Sequence, residues 1–374
     1  MKNKNRDNYF ILGYYGWKNT GDDAMMYSLL SELKTLRPEA TFTVLSHKPA
    51  FVPPCAIHSV EFVSEKQIFK LISNMAKSSS FILGGGTHLF DYGNQKNRII
   101  RLTQLYLLIS INKFFKKRIY FIGVGIEQPT KFYGRFLIKH ICNLADLITV
   151  RDSISFEVLQ KMNIAPKFLH TFDLAALLMD HLDHPKNTKA GAIKKLGVSI
   201  LPFFEIYYNN VQKDNHLLKE LAKGLNQWLD DDKKRSIYLF VFKGESLDHD
   251  VYIINALRKL IYERERVRII PYCPNPLTTL ERVAECDAFV GMRYHSCIFS
   301  YLASLPMIII SYAQKNESLI KDIGLDSKAV LSLELVLKGE FPSRLMRMNE
   351  RPDEFVASLP INIAEERSKL KDIL

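Results

Sequence analysis

Short runs of apolar residues, rich in β-branched and aromatic types, recur along the chain, and each is followed by a segment with helical spacing. Continuous apolar runs alternating with helices indicate parallel strands that helices cover on both faces. In the first half the predicted strands are Tyr9–Leu12, Thr41–Leu45, Phe81–Leu83, Ile119–Val124, Leu147–Val150 and Lys167–Leu169. In the second half they are Leu196–Ile200, Ile237–Phe242, Val267–Ile270, Ala288–Val290 and Met307–Ile310. The pattern predicts an α/β protein with open parallel sheets.

The apolar pattern lapses in the polar stretch Asp183–Lys189, which divides the predicted strands into two groups. Each group is large enough for one doubly wound sheet, and 374 residues suit two domains. We therefore expect two Rossmann-like doubly wound domains, residues 1–184 and residues 185–374. An amphipathic helix within Pro352–Leu374 is expected to end the second domain.

The composition is that of a globular protein, with 47% apolar and 24% charged residues. Five scattered cysteines without Cys-x-x-Cys spacing predict neither a zinc site nor a disulfide framework, and they favour a reducing compartment. No stretch approaches the roughly 18 apolar residues of a membrane span. The net charge of +11 is spread along the chain without a recognisable nucleic-acid module. We expect a soluble, cytoplasmic protein with no nucleic-acid partner, no metal and no cofactor.

The loop after the first strand is a candidate site for an acceptor hydroxyl. Its polar and glycine positions are Gly16, Asn19, Thr20, Gly21, Asp22 and Asp23. Their spacing matches neither the dinucleotide fingerprint nor the P-loop, where Lys and Ser or Thr would replace the two aspartates. Carboxylates there would repel a phosphate, but they suit hydroxyl recognition or removal of a proton from an attacking hydroxyl. The alternative is that both aspartates only stabilise the helix N-terminus.

Two further strand ends in the first domain are candidates for ligand contact. Gly84, Gly85 and Gly86 permit positive φ and bring backbone N–H groups close to a ligand, although a tight turn would also use glycine. Arg151 follows another strand, where it either contacts a ligand or pairs locally beside Asp152, a natural helix N-cap.

The sharpest candidate site is the run from Gly291 to His295, where a predicted strand passes into a helix. Ligands bind beyond the carboxyl ends of strands in open parallel sheets, and helix N-termini favour anions. Arg293 can hold a carboxylate or phosphate through two parallel hydrogen bonds, and His295 can exchange a proton near neutral pH. Lys243 and Lys315 follow other strands of this half and are candidates for further anion ligands. For each lysine the alternative is a solvated surface position.

Together these runs resemble the polysaccharide pyruvyl transferase family. The matching positions are Gly13 to Gly16, Asn19 to Asp22, Gly84 to Gly86, Arg151 to Ser153, Gly291 to His295, Tyr312 and Lys315, in the family's order. The resemblance implies a glycosyltransferase-B-like arrangement of the domains with the site in the cleft between them. It also implies phosphoenolpyruvate as donor and a saccharide hydroxyl pair as acceptor, giving a pyruvyl ketal and phosphate. Arg293 and His295 match the family's donor-binding and acid/base positions.

One departure from the family pattern bears on the donor. Family members often carry an Arg after the strand that opens the second domain, where this chain has Leu201. Either Lys243 or Lys315 compensates, or the donor differs from phosphoenolpyruvate. Two alternatives therefore stay open: a glycosyltransferase of the same shape that uses a nucleotide sugar, and a non-catalytic member of the family.

The segment from Arg98 to Arg118 mixes basic residues with Ile, Leu, Tyr and Phe. Such a helix could lie on an anionic membrane face, with a lipid-linked saccharide as acceptor at the inner face of the membrane. The alternative, which we favour, is a core helix with a basic end, because the strand that follows needs to be covered.

Overall fold

The computed structural model describes residues 7–48, 59–91, 95–182, 192–244 and 250–371. The predicted boundary stretch Asp183–Lys189 lies outside these residues. By its contacts the chain divides into two compact units. The first unit comprises Met1–Gly16, Asp22–Leu177 and Asn362–Leu374, and the second comprises Trp17–Gly21 and Leu178–Ile361.

The first unit contains an eight-stranded parallel sheet. Its strands are β1 Asn8–Leu12, β2 Thr41–Leu45, β3 Val60–Val63, β4 Ser80–Leu83, β5 Gly86–Leu89, β6 Arg118–Ile126, β7 Leu147–Val150 and β8 Lys167–His170. The strand order is β3-β2-β1-β4-β6-β7-β8, and β5 pairs with β6. The helices are α1 Thr20–Leu36, α2 Ile68–Lys77, α3 Gln95–Phe114, α4 Phe132–Leu144 and α5 Ser153–Met162, followed by a 3-10 helix, Leu174–His181.

The second unit contains a six-stranded parallel sheet. Its strands are β9 Lys195–Ser199, β10 Ser236–Phe240, β11 Val267–Ile270, β12 Ala288–Gly291, β13 Met307–Ser311 and β14 Val330–Ser332. Their order, β11-β10-β9-β12-β13-β14, is the Rossmann order, with the topological switch between β9 and β12. The helices are α6 Phe203–Tyr208, α7 Val211–Asp231, α8 Asp250–Leu260, α9 Pro276–Ala284, α10 Tyr294–Leu302, α11 Gln314–Asp322, α12 Leu333–Leu337 and α13 Phe341–Glu350. Short 3-10 helices are Arg264–Arg266, Ser327–Ala329 and Pro352–Phe355.

The predicted α/β class with two doubly wound sheets is confirmed, and each predicted strand overlaps an observed one. The strands β3, β5 and β14 were not predicted from the sequence. The strands β3 and β14 are short and end their sheets, so few of their residues are fully buried and the apolar signal is weak. The strand β5 begins inside the glycine run, whose composition is typical of a loop.

The last helix, α14 Ile363–Lys371, is grouped by its contacts with the first unit, whereas the sequence placed it with the second domain. Arg367 Nε donates to Glu32 Oε1 of α1 at 2.7 Å, and Glu366 Oε2 accepts from the Phe172 amide at 2.7 Å. These bonds attach the helix to the first sheet's unit. Of the helices within the described ranges, none is long and apolar enough to cross a membrane.

Candidate functional site

The run from Gly291 to His295 lies at the switch point of the second sheet. Gly291 ends β12, where it pairs with Ser199 of β9, and the Met292 amide donates to the Ser199 carbonyl at 2.8 Å. A Cβ on Gly291 would lie 2.8 Å from Cys297 Sγ, so only glycine allows α10 to begin this close to the strand. The predicted passage from strand to helix is confirmed, and α10 begins at Tyr294.

Arg293 is held in place by Asp250, the first residue of α8. Its Nε and Nη2 lie 2.8 and 2.6 Å from Asp250 Oδ1, and the carboxylate is fully buried. The second oxygen, Oδ2, accepts from the backbone amides of Phe242 and Lys243, both at 2.9 Å. Burial raises the pKa of Asp250, and Arg293 and the two amides oppose that rise. One edge of the guanidinium is therefore occupied by a carboxylate of the protein.

Asp250 is not recognisable as a site residue from the sequence. The sequence offers one indication of its importance, which is that an acidic residue begins a helix shortly after the polar segment starting at Lys243. Such residues are common, because carboxylates favour helix N-termini.

His295 lies against Gly21, which belongs to the second unit by its contacts. A Cβ on Gly21 would lie 1.8 Å from His295 Nδ1 and 2.2 Å from Cγ, so a side chain there would collide with the imidazole. The two runs that the sequence analysis treated separately thus meet inside one unit.

Backbone hydrogen bonds fix the segment Trp17–Gly21 on the second unit. The Thr20 amide donates to the Phe242 carbonyl at 2.9 Å, and the Gly244 amide donates to the Lys18 carbonyl at 2.9 Å. Between these bonds Asn19 and Lys243 form an antiparallel bridge. These bonds anchor the backbone at Asn19, Thr20 and Gly21. The position of Gly21 against the His295 ring is therefore fixed.

The two candidate lysines occupy different surroundings. Lys315 Nζ lies 5.9 Å from the Tyr294 ring centroid and 5.3 Å from that of Tyr312, within the range of cation–π attraction. This places Lys315 beside the first residue of α10. Lys243 is only 6% exposed, so the alternative of a solvated surface lysine does not describe it.

Ser199 and Asn316 are buried polar residues that the sequence analysis missed. Ser199 ends β9, and Asn316 follows Lys315 in α11. Within the part of the chain that the structure describes, the Ser199 hydroxyl and both amide atoms of Asn316 lack a hydrogen-bond partner. Buried groups of this kind call for an explanation, and a polar ligand is one.

In the first unit, Asp22 and Asp23 lie in the first turn of α1 and are both buried. Asp22 lies near the buried phenol of Tyr15, and burial, followed by the charge of Asp22, raises the pKa of that phenol. Asp22 Oδ1 would also be 3.7 Å from a Cβ on Gly86, whose φ is +119°. Both carboxylates are therefore more enclosed than helix-terminal residues that only face solvent.

The glycine run makes room for neighbouring side chains. A Cβ on Gly84 would lie 2.1 Å from the Tyr15 hydroxyl, and one on Gly85 would lie 2.6 Å from Met25 Sδ. His88 Nε2 hydrogen-bonds to the carbonyls of Gly84 and Gly85 at 3.1 and 3.2 Å, and burial lowers the pKa of His88. Packing thus accounts for two of the glycines, and ligand contact by the run stays a prediction.

Gly16 and Arg151 complete the predicted positions of the first unit. Gly16 has a φ of +79°, and a Cβ there would meet Ser46 Oγ at 2.2 Å. Arg151, which is 3% exposed, donates to Thr87 Oγ1 at 2.7 Å and lies 3.4 Å from Asp173 Oδ2. It also lies 3.5 Å from Asp152 Oδ2, so the local pairing considered from the sequence is present.

Comparisons with known proteins identify the family of the chain. A family model described as polysaccharide pyruvyl transferase matches residues 19–314, from Asn19 to the first residue of α11. The amylovoran biosynthesis protein AmsJ of Erwinia amylovora is 20% identical over 264 residues. The alignment covers 67% of this chain and 63% of AmsJ, so the chain spans less than two thirds of that relative's length.

Solved structures with the same fold align over both units. The UDP-GlcNAc 2-epimerase of Neisseria meningitidis, bound to UDP-GlcNAc, gives a TM-score of 0.62 at 10% identity, covering 98% of this chain and 99% of the epimerase. Anabaena HepE, in complex with UDP and glucose, gives 0.55 at 11% identity, covering 98% and 94%. At these identities the likeness concerns the fold alone, which it confirms as that of the glycosyltransferase-B class.

Proposed function

Because the chain belongs to the polysaccharide pyruvyl transferase family, we propose that it moves the pyruvyl group of phosphoenolpyruvate onto two hydroxyls of a saccharide. The products are a pyruvyl ketal and phosphate. The observation that carries the proposal is the contact between Gly21 and His295. It joins two runs of the family pattern at the N-terminus of α10, where anions are favoured.

Donor binding is assigned to the cationic end of the second sheet. Lys315 lies beside the start of α10, and Lys243 is buried next to the backbone of Asn19. Arg293 adds a fixed guanidinium whose orientation Asp250 sets. Since Asp250 offsets much of that charge, the proposal gives Lys315 and Lys243 the larger part in attracting the phosphate and carboxylate of the donor.

The reaction is proposed to begin with protonation of the donor's methylene carbon by His295. The methylene becomes a methyl group, and positive charge develops on the adjacent carbon. One acceptor hydroxyl attacks that carbon and loses its proton, and the carbon–oxygen bond to phosphate breaks. The second hydroxyl then closes the ketal and releases the second proton. Of the two hydroxyl protons, one returns to the enzyme and restores the proton that His295 gave to the methyl group. The other leaves with phosphate.

Acceptor activation is assigned to Asp22 or Asp23, because a buried carboxylate can accept a proton from an attacking hydroxyl. We place the reaction in the cytoplasm, in line with Cys142 and Cys297, which are buried free thiols. The acceptor class includes lipid-linked saccharides, with the enzyme at the inner face of the membrane.

The decisive experiment supplies phosphoenolpyruvate with a panel of free and lipid-linked saccharides and follows both phosphate release and the mass of the acceptor. We expect phosphate release to require an acceptor, and the acceptor to gain the mass of a pyruvyl ketal. His295→Ala should lower turnover by about 10²- to 10⁴-fold. The matched control is His216→Ala, which removes an exposed imidazole from α7 and should leave turnover unchanged.

A nucleotide-sugar glycosyltransferase is the second candidate, because the proteins of similar fold include one bound to UDP-GlcNAc and one in complex with UDP and glucose. Turnover with UDP-sugars in place of phosphoenolpyruvate would establish it and reject the pyruvyl donor. Full turnover by both His295→Ala and Arg293→Ala would instead remove the proposed roles of those side chains.

A further inference from the structure

Three neighbouring helices of the first unit, α2, α3 and α4, cover the same face of the first sheet. Their inward side chains join one hydrophobic core, to which Leu71, Ile109 and Ile138 contribute from the three helices. We call the outward face of these helices, with the Phe115–Lys117 and Lys131 connections, the α2–α4 surface. Its composition is unusual for a face turned away from the core.

Large apolar side chains are exposed on all three helices. Phe69 of α2, Phe114 of α3 and Phe132 of α4 are 87, 82 and 87% exposed. Further exposed apolar residues of this surface are Ile68, Ile72, Ile99, Ile100, Leu107, Ile111, Phe115 and Phe136. Single exposed apolar residues are ordinary, but a collection of this kind marks an interaction surface.

The outward face of α3 carries an apolar stripe. Ile100, Leu107, Ile111 and Phe114 follow one another at intervals of seven, four and three residues, which keeps them on one side of a helix. The opposite side, with Leu102 and Ile109, is buried against the sheet. The helix therefore covers β6, as the sequence analysis favoured, and also presents an apolar face outward.

The same helices carry no aspartate or glutamate. Among the residues whose side chains are described, the basic ones are Lys70, Lys77, Arg98, Arg101, Lys113, Arg135 and Lys139. Lys70 pairs with Glu61 and Lys113 with Asp146, both from neighbouring segments, and the other bases include Lys77, Arg101 and Arg135, which are exposed. The connections add Lys116 and Lys131, both exposed. The chain as a whole has 40 acidic residues against 51 basic ones, so the absence of acids here is local.

We propose that the α2–α4 surface docks onto an anionic phospholipid bilayer. Exposed phenylalanines beside lysines and arginines suit the boundary between acyl chains and anionic headgroups. A second copy of the chain is a poorer occupant, because a self-complementary contact would bring together two sets of helices that carry basic side chains and no acidic ones. Nucleic acid would suit the charges, but aliphatic residues such as Leu107 and Ile111 offer bases no stacking platform.

The proposal does not depend on the reaction proposed above, because binding to vesicles is measured without turnover. The full chain is floated with vesicles of phosphatidylcholine alone or with about one third phosphatidylglycerol. We expect it to float with the anionic vesicles, to float poorly with the neutral ones, and to release as salt screens the charges.

The apolar part of the surface is tested by the triple change Phe69→Ser, Phe114→Ser and Phe132→Ser. Because these rings are already exposed, the change should leave thermal unfolding close to that of the natural chain while lowering vesicle affinity at least about tenfold. The matched control is Tyr262→Ser, which removes an 83% exposed ring from the second unit and should leave binding unchanged.

The charged part is tested by Lys77→Gln, Arg101→Gln and Arg135→Gln together. About fivefold lower affinity per charge predicts a loss of about a hundredfold. The matched control, Lys219→Gln with Lys223→Gln on the exposed face of α7, should bind normally.

Three results would overturn the proposal. They are failure of the natural chain to float with anionic vesicles, equal flotation with neutral vesicles, and binding that both variants retain in full. A concentration-dependent dimer abolished by the phenylalanine changes, without vesicle binding, would assign the surface to a second copy. Turnover of a soluble acceptor is expected to be the same in the natural chain and all variants, so failure of the proposed reaction would be a separate result.

Discussion

A single methyl group added at Gly21 should disable the proposed acid without unfolding the protein. In Gly21→Ala the new Cβ would lie 1.8 Å from His295 Nδ1, whereas non-bonded carbon contacts are about 3.5–4.0 Å. Gly21 is fixed by its neighbours, because the adjacent Thr20 amide is bonded to the Phe242 carbonyl. The imidazole must therefore withdraw by more than about 1.5 Å.

The expected loss of activity follows from that displacement. A misplacement of about 1 Å costs about a hundredfold in rate, and complete loss of an acid or base costs about 10²- to 10⁴-fold. This range corresponds to about 3–5 kcal/mol of transition-state stabilisation. Stability should change much less, since Gly21 lies in the first turn of α1, where alanine gains up to about 1 kcal/mol in helix propensity.

The assay is phosphate release from phosphoenolpyruvate with a competent acceptor, measured beside unfolding in urea. A double-mutant cycle with His295→Ala identifies the cause, because Gly21→Ala should have no further effect once the imidazole is gone. Gly339→Ala is the matched control. Its Cβ would approach only Glu220 Oε2, at 3.2 Å, but its φ of +84° should cost about 1 kcal/mol of stability without affecting turnover.

Two results would refute this reasoning. Normal turnover by Gly21→Ala would mean that the position of His295 is irrelevant to the reaction. A further large loss in the His295→Ala background would mean that Gly21 acts through another group, such as the backbone of its own segment.

Three further substitutions test individual contacts through their effect on stability. Asp250→Asn removes the charge that holds Arg293 and should lower the unfolding free energy by about 3–5 kcal/mol in urea; a change below about 1 kcal/mol would contradict a buried ion pair. His88 has a lowered pKa, so the folded chain binds fewer protons than the unfolded chain just below pH 6.5. Stability should therefore fall as the pH drops through that value, and His88→Gln should flatten the slope in unfolding measured from pH 7.5 to 5.5. Tyr15→Phe should be neutral or raise the melting temperature, because the buried hydroxyl has no hydrogen-bond partner within the described residues; a clear drop would show that it has one.

The interior of both sheets could be predicted from sequence because their central strands are buried on both faces. Strands such as Leu147–Val150 are apolar throughout, and the burial that selects such residues also makes them recognisable. The edge strand β14 has no comparable signal, since its last residue is exposed. For β5, the residues Gly86 and Thr87 indicate a turn, and only pairing with β6 makes the segment a strand.

Positions in the candidate site were predictable where topology determines them. His295 follows β12, and the Rossmann order places that strand beside β9, so its location at the switch point follows from the strand pattern. The contact with Gly21 was not predictable, because it depends on a loop segment that packs with the second unit although its strand belongs to the first. The ion pair between Asp250 and Arg293 was not predictable either, because no spacing rule connects the two residues. This pair matters because it occupies one edge of the guanidinium that was expected to bind the donor.

Leu201 stands where the family resemblance led us to expect an arginine. Leu201 is 1% exposed, and Phe203 two residues later packs against Tyr312 with a centroid distance of 5.2 Å. A guanidinium in this apolar position would need a buried partner, since an unpaired charge in such a place is strongly unfavourable. Tyr312 is also one of the two rings that Lys315 approaches. The ring of Tyr312 therefore contacts both Phe203, which follows β9, and Lys315, which follows β13. With leucine at position 201, Lys315 and Lys243 are the cations to test for donor binding beside Arg293.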